Sequence, residues 1–117
     1  VSLRDQILKT NDITTEIVDV PEWKIKVKIR SMSAGERTKV QQAAADQKSG
    51  KVDLGILFTE TVLLTVLDPE TNERAFLDED REALFNKNGA VIEMLATKAL
   101  SISGMNKESV DEVGKDS

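Results

Sequence analysis

The chain has 117 residues, 21 acidic and 16 basic, for a formal net charge of −5. That length holds one domain around one core, and the acidic balance opposes nonspecific attraction to nucleic acid or anionic membranes. Histidine, cysteine and tyrosine are absent, which removes the commonest general base, the commonest transition-metal ligand, a thiol nucleophile and any disulfide framework.

No basic segment opens the sequence. The longest mainly apolar run, Leu54–Leu67, is too short to span a bilayer and carries Glu60. A cytoplasmic protein without metal or cofactor is expected.

Ser2 is placed to cap a short helix through Leu3, Ile7 and Leu8, ending before Asn11-Asp12. Two β-rich runs follow, Ile13–Val20 and Trp23–Arg30, separated by Pro21-Glu22. They predict a hairpin over 13–30. In the second run Ile25, Val27 and Ile29 alternate with Lys24, Lys26, Lys28 and Arg30, the pattern of a half-buried strand. In the first, Ile17 and Val18 point to opposite faces, which a bulge or burial on both sides would explain. The lysine face reads as solvated, on an exposed or edge strand where cations discourage aggregation; a docking surface for an acidic partner is the alternative.

The remainder, 33–113, is helical in pattern. Ser33-Ala34-Gly35-Glu36 matches a capping box, opening a helix to about Gln47 with a thin apolar stripe of Val40, Ala43 and Ala44. Such a stripe suits the periphery. After the loop Lys48–Lys51, Asp53 caps a helix expected over Leu54–Leu67. Its apolar residues point in nearly every direction, so it is either central to the core or keeps one face for a partner. Asp68-Pro69 stops it, and Asp68–Glu73 reads as a turn. Arg74–Leu77 is expected to be briefly extended. Asp78 then caps a short helix from Glu79 to about Lys87, and Asn88-Gly89 breaks it. A helix over Ala90–Ser103 should bury Val91, Ile92, Met94, Leu95, Ala99 and Ile102, with Gly104 as its C′ residue. Asn106 caps a last short helix through Val110 and Val113, ended by Gly114. The predicted fold is a single α+β domain over 1–117, an N-terminal β-hairpin packed on a C-terminal bundle of about four to five short helices.

Two clusters suggest chemistry, and each has a plainer explanation. Asp78, Glu79, Asp80 and Glu82 resemble paired carboxylates, but an acidic helix start satisfies the helix dipole, and no histidine or nucleophile motif accompanies them. Asp68, Glu70, Asn72 and Glu79 fall at calcium-loop spacing. Glu73 nevertheless stands where the sharp turn needs glycine, and Pro69 and Ala75 occupy other discordant positions, so a plain turn is expected. No glycine-rich phosphate loop exists. An enzyme is not expected.

Several segments in order resemble the tail assembly chaperones of long-tailed phages, particularly those of Gram-positive hosts. They are Ser2-Leu3-Arg4-Asp5-Gln6-Ile7-Leu8, Val20-Pro21-Glu22-Trp23, Gln41-Gln42-Ala43-Ala44-Ala45, Asp68-Pro69-Glu70-Thr71, Asp80-Arg81-Glu82-Ala83-Leu84 and Leu100-Ser101-Ile102-Ser103-Gly104. Asn72 stands where relatives are expected to carry glycine, and asparagine also tolerates the left-handed conformation. The resemblance supplies no catalytic residues. It implies a protein that binds the tape-measure protein, keeps it soluble and helps recruit the tail tube subunit, acting in the host cytoplasm and absent from the finished virion. It also implies a longer frameshifted form of the chain, for which Gly114-Lys115 offers a codon pair compatible with slippage. The alternatives are a head–tail joining or tail accessory protein retained in the virion, and a small regulatory or calcium-responsive module. Neither nucleic acid nor membrane is an expected partner; a homo-oligomer is compatible with the sequence. The residues expected to meet a partner are Trp23, Phe58, Val62, Phe85 and Met94, with Trp23 otherwise capping the core.

Overall fold

The computed structural model describes residues 2–45 and 48–105. The helix expected from Asn106 to Gly114, the Gly114-Lys115 dipeptide and the stretch 46–47 lie outside the described residues. The alternating run forms strand β2 (Ile25–Arg30), antiparallel to β1 (Thr15–Val20) on one side and to a two-residue strand β3 (Val66–Leu67) on the other. Val27 and Ile29 are buried on one face, as their period-2 spacing requires.

The hairpin differs from expectation in three ways. Its connection is longer than Pro21-Glu22: a single 3₁₀ turn spans Pro21–Trp23, and Lys24 closes it in the left-handed region at φ 57°. Proline suits this turn because its φ is fixed and it needs no N–H. There is no bulge in β1. It pairs with β2 residue for residue from Thr15↔Arg30 to Val20↔Ile25, and Ile17 is simply exposed. Finally, the lysine-bearing strand is the central one, since β3 pairs along its other side. Its cations therefore do not guard an edge. Lys28 Nζ donates to Asn72 Oδ1 at 2.7 Å, and Arg30 reaches Glu36. Asn72 itself sits at φ 61°, so the left-handed turn position expected there is realised.

Helix α1 (Leu3–Lys9) is capped by Ser2 Oγ, which accepts from Asp5 N at 3.1 Å. α2 (Ala34–Ala44) begins with the full capping box at Ser33 and Glu36 and buries only Val40 and Ala44. It stops short of Gln47 because Ala45 turns extended and bridges Val52. α3 (Leu54–Thr65), capped by Asp53, is shorter than its apolar run: Val66 and Leu67 leave the helix to become β3. Arg74 Nε donates to Leu63 O at 3.0 Å and so satisfies a carbonyl that this early exit frees. Before α4 (Arg81–Phe85) lies a 3₁₀ turn, Asp78–Asp80. The capping oxygen there is Asp80 Oδ2, accepting from Leu77 N at 2.8 Å, whereas Asp78 is turned toward Arg74. α5 (Gly89–Ile102) starts at Asn88, whose Oδ1 accepts from Ala90 N. It ends at Gly104, φ 80°, with Met105 N donating to Leu100 O and Gly104 N to Ser101 O. Those two bonds make a Schellman ending, and Leu100 and Met105 pack together beneath it.

α3 lies between α2, α4 and α5. One cluster joins the sheet (Val20, Val27, Ile29) to Val62 and Leu63 of α3 and Val91, Ile92 and Leu95 of α5. A second joins Met32, Val40 and Leu57 to Leu100 and Met105, and Phe58 packs against both. On α5, Ala96 and Leu100 take full core places, while Met94 and Ile102 are only partly buried. Removing the Leu95 side chain beyond Cβ, where exposure is 0%, is expected to cost about 3 kcal/mol of stability, measurable by denaturant unfolding of Leu95→Ala.

The start of α2 is tied back to β2 by a paired bond: Arg30 Nη1 to Glu36 Oε1 at 2.7 Å and Nη2 to Oε2 at 2.6 Å. That hydrogen bonding, helped by the Ser33 amide and opposed by partial burial, lowers the Glu36 carboxyl from 4.5 to about 2. A carboxyl depressed on folding stabilises the native state fully above its unfolded value and loses that contribution as pH falls. Glu36→Gln should therefore melt below the wild type at pH 7, and the gap should close between pH 4.5 and about 2. A gap that stays constant through this window would count against the pairing.

Candidate partner-binding surface

α4 is a short helix that could not persist alone, and ion pairs fix it to its neighbours. Glu60, the one acid within the apolar α3, accepts from Arg81 through both carboxylate oxygens, one of them at 3.1 Å from Nη2. Such fork geometry orients as well as attracts. Asp78 accepts from Arg74 Nη2 at 3.0 Å, and that hydrogen bond holds its carboxyl below the usual range. Docked in this way, α4 leaves Phe85 at its end 58% exposed. The ring rests over Gly55 of α3: a Cβ there would stand 3.4 Å from Phe85 Cε2 and 3.3 Å from Asp53 Oδ1. Glycine lets the aromatic ring approach the helix backbone.

Phe85, Ile56 and Thr59 border a shallow groove of about 360 Å³ between α3 and α4, rimmed by Glu60, Arg81 and Glu82. Its lining is mostly apolar and its rim carries more acid than base. Leu54 and Leu77, at the start of α3 and just before the turn that leads into α4, are also exposed. This face has the makings of a seat for an amphipathic helix bearing cations beside its apolar stripe.

The structure separates the other expected contact residues. Val62 is fully buried between the sheet and α5, so in this conformation it packs the core and offers nothing to a partner. α3 packs against α2, α4, α5 and the sheet along most of its length, and its first residues, Leu54 and Gly55, stay exposed. Phe58 is partly buried where the two clusters meet, and Trp23 packs on the core from the hairpin turn. Met94 also packs on the core but borders a second groove, between β1 and α5, far from a shared site with Phe85 in the sense that no lining residue is common to both.

Sequence reasoning missed α1 as surface. Leu3, Ile7 and Leu8 are 72%, 61% and 66% exposed, and the helix buries no residue. Leu3 and Ile7 are four apart and share a face; their spacing showed an apolar stripe but not that the stripe has no cover.

The acidic clusters have structural duties. Asp68 Oδ1 accepts from Glu70 N at 2.8 Å within its own turn, and Asn72 Oδ1 is taken by Lys28. Among the described residues no group of three or more acids is arranged to hold a metal ion. No helix among them is long and apolar enough to cross a membrane.

Comparison with known proteins adds the following. A family model described as phage tail assembly chaperone matches residues 2–116. The solved structure of the bacteriophage HK97 tail assembly chaperone shares the fold, with a TM-score of 0.64 at 20% identity over 85% of this chain and 91% of that one. No curated protein matches.

The surface and core assignments are separable by mutation. Phe85→Ser should cost about 1 kcal/mol, since the ring is more than half exposed and touches only the start of α3. Val62→Ala should cost about 2 kcal/mol through lost burial and a residual cavity. Thermal and urea unfolding of the two variants checks both; a large loss for Phe85→Ser would return that ring to the core.

Proposed function

The chain belongs to the phage tail assembly chaperone family, and from that membership we propose that it binds an amphipathic helical segment of the tape-measure protein and keeps it soluble during tail morphogenesis. The observation that carries the reading is the exposed Phe85 over Gly55, on the mostly apolar groove between α3 and α4. A helix laid in this groove would bury the ring and Ile56, while the acidic rim at Glu60 and Glu82 would meet lysine or arginine on its flanks. α1, with its uncovered Leu3, Ile7 and Leu8, provides further apolar surface for a long client.

The same reading has the chain act by binding rather than catalysis, and has it help recruit the tail tube subunit to the held tape measure. It works in the host cytoplasm and leaves before the particle is complete. A longer frameshifted form through Gly114-Lys115 belongs to this proposal as well.

Co-expression with overlapping fragments of the tape-measure protein is expected to keep at least one fragment soluble and to co-purify it. Phe85→Ser should release that fragment while lowering the melting temperature by no more than a few degrees. Failure to associate with every fragment would sink the chaperone reading, and finding the chain in purified virions would favour a retained accessory protein instead.

A further inference from the structure

The sheet has one open edge, and the groove beneath it is acidic. β3 is two residues long and its outer side is bridged by Arg74. β1 ends the sheet on the other side without proline, lysine or bulge, the features that commonly blunt a natural edge. Among the described residues no strand pairs with it there, and Ile17, in its middle, is 53% exposed.

The backbone phase is fixed by the bond from Ser31 N to Thr14 O at 2.8 Å. Antiparallel pairing alternates, so Glu16, Val18 and Val20 bond toward β2, and the N–H and C=O groups of Thr15, Ile17 and Asp19 point outward. Directly opposed residues share a face, which puts Ile17 and Asp19 with Lys28 and Lys26 on the outer side of the sheet. Glu16 and Val18 face the other way, over a groove of about 790 Å³ between β1 and α5.

Charge decides what this edge suits. β1 carries two carboxylates and no cation. Lys98 meets Glu16 at 2.8 Å, and Lys26 stands across from Asp19. Glu93 is exposed and makes no ion pair among the described residues. The groove is thus lined by three acids, Glu16, Asp19 and Glu93, and one base, Lys98, around the apolar Val18 and Met94.

We propose that the edge of β1 seats an extended segment of another protein that bears lysine or arginine, added to the sheet as a further strand. The outward backbone groups of Thr15, Ile17 and Asp19 supply the bonds that hold it. Side chains of an added strand alternate between faces. Those on the inner face rest on Val18 and Met94, with a cation reaching Glu93, and an apolar one on the outer face covers Ile17. The edge and its groove share no residue with the Phe85 groove, so the proposal goes beyond the client reading and stands or falls separately.

The probe is a blocked synthetic peptide of valine, threonine and lysine, as long as β1, read by amide hydrogen exchange of the full chain. It should slow exchange at Ile17 and Asp19 about tenfold or more, while Glu16 and Val18, already bonded to β2, change little. Glu93→Lys should raise the peptide's dissociation constant about tenfold with the melting temperature unchanged. Ile17→Pro removes an outward N–H that β2 does not use, and should abolish binding. Phe85→Ser should bind the peptide as the wild type does. A counterpart peptide with glutamate for lysine should bind at least tenfold more weakly. Absence of protection at Ile17 and Asp19, equal binding of the glutamate peptide, or a Glu93→Lys chain that binds normally would each overturn the proposal. Protection at these amides that rises with the concentration of the chain alone would give the edge to a second copy and overturn it equally.

Discussion

A helix of 12 residues with apolar side chains on every side has to be surrounded, and the rest of this fold is arranged to surround α3. One hairpin cannot do it, because a two-stranded ribbon covers a single face. α2 covers one side, α5 another and α4 a third, while the sheet closes the remainder through β3. The polar residues within the helix conform to the same demand. Thr61 and Thr65 are fully buried and donate back to Leu57 O and Thr61 O, both at 2.7 Å, so neither hydroxyl is left wanting a partner. Glu60 is accommodated only because Arg81 comes to meet it. That pair ties the start of α4 to α3, while buried Leu84 anchors its end and sets Phe85 at the surface.

What α3 does not claim is left at the surface in separate places. α1 keeps an uncovered stripe, α4 presents Phe85, and β1 keeps an open edge with Ile17 at its centre. The acidic net charge opposes random association. Spreading the exposed apolar groups over distinct elements keeps each patch small. The two grooves differ in what builds them: one lies between the helices α3 and α4, the other between strand β1 and helix α5.

The local signals were legible because each is decided by a few neighbouring residues. Ser2, Ser33 and Asp53 all accept at the helix starts, and Asn88, expected only to break the preceding helix, caps the next one. Asp78 was the exception, since Arg74, four residues back, competes for its carboxylate and leaves Asp80 to cap. β3 was hidden because Val66 and Leu67 continue an apolar helical pattern, and only the presence of β2 alongside makes the extended alternative better. Of the residues expected to meet a partner, Phe85 lies at the surface and Val62 in the core; both are apolar residues at helical spacing, and nothing local distinguishes them.

By itself the sequence determined the α+β class, the hairpin, the order of the helices among the described residues, the caps at Ser2, Ser33 and Asp53 and the absence of histidine and cysteine chemistry, because these follow from periodicity, short-range hydrogen bonding and composition. Tertiary structure alone decided which apolar residues stay exposed, that the lysine strand is central, and that β1 is the open edge. Those facts depend on which elements meet across the chain, as Lys28 meets Asn72 and Glu60 meets Arg81. Contacts between residues so far apart in sequence are fixed by packing, and no window of neighbouring residues contains them.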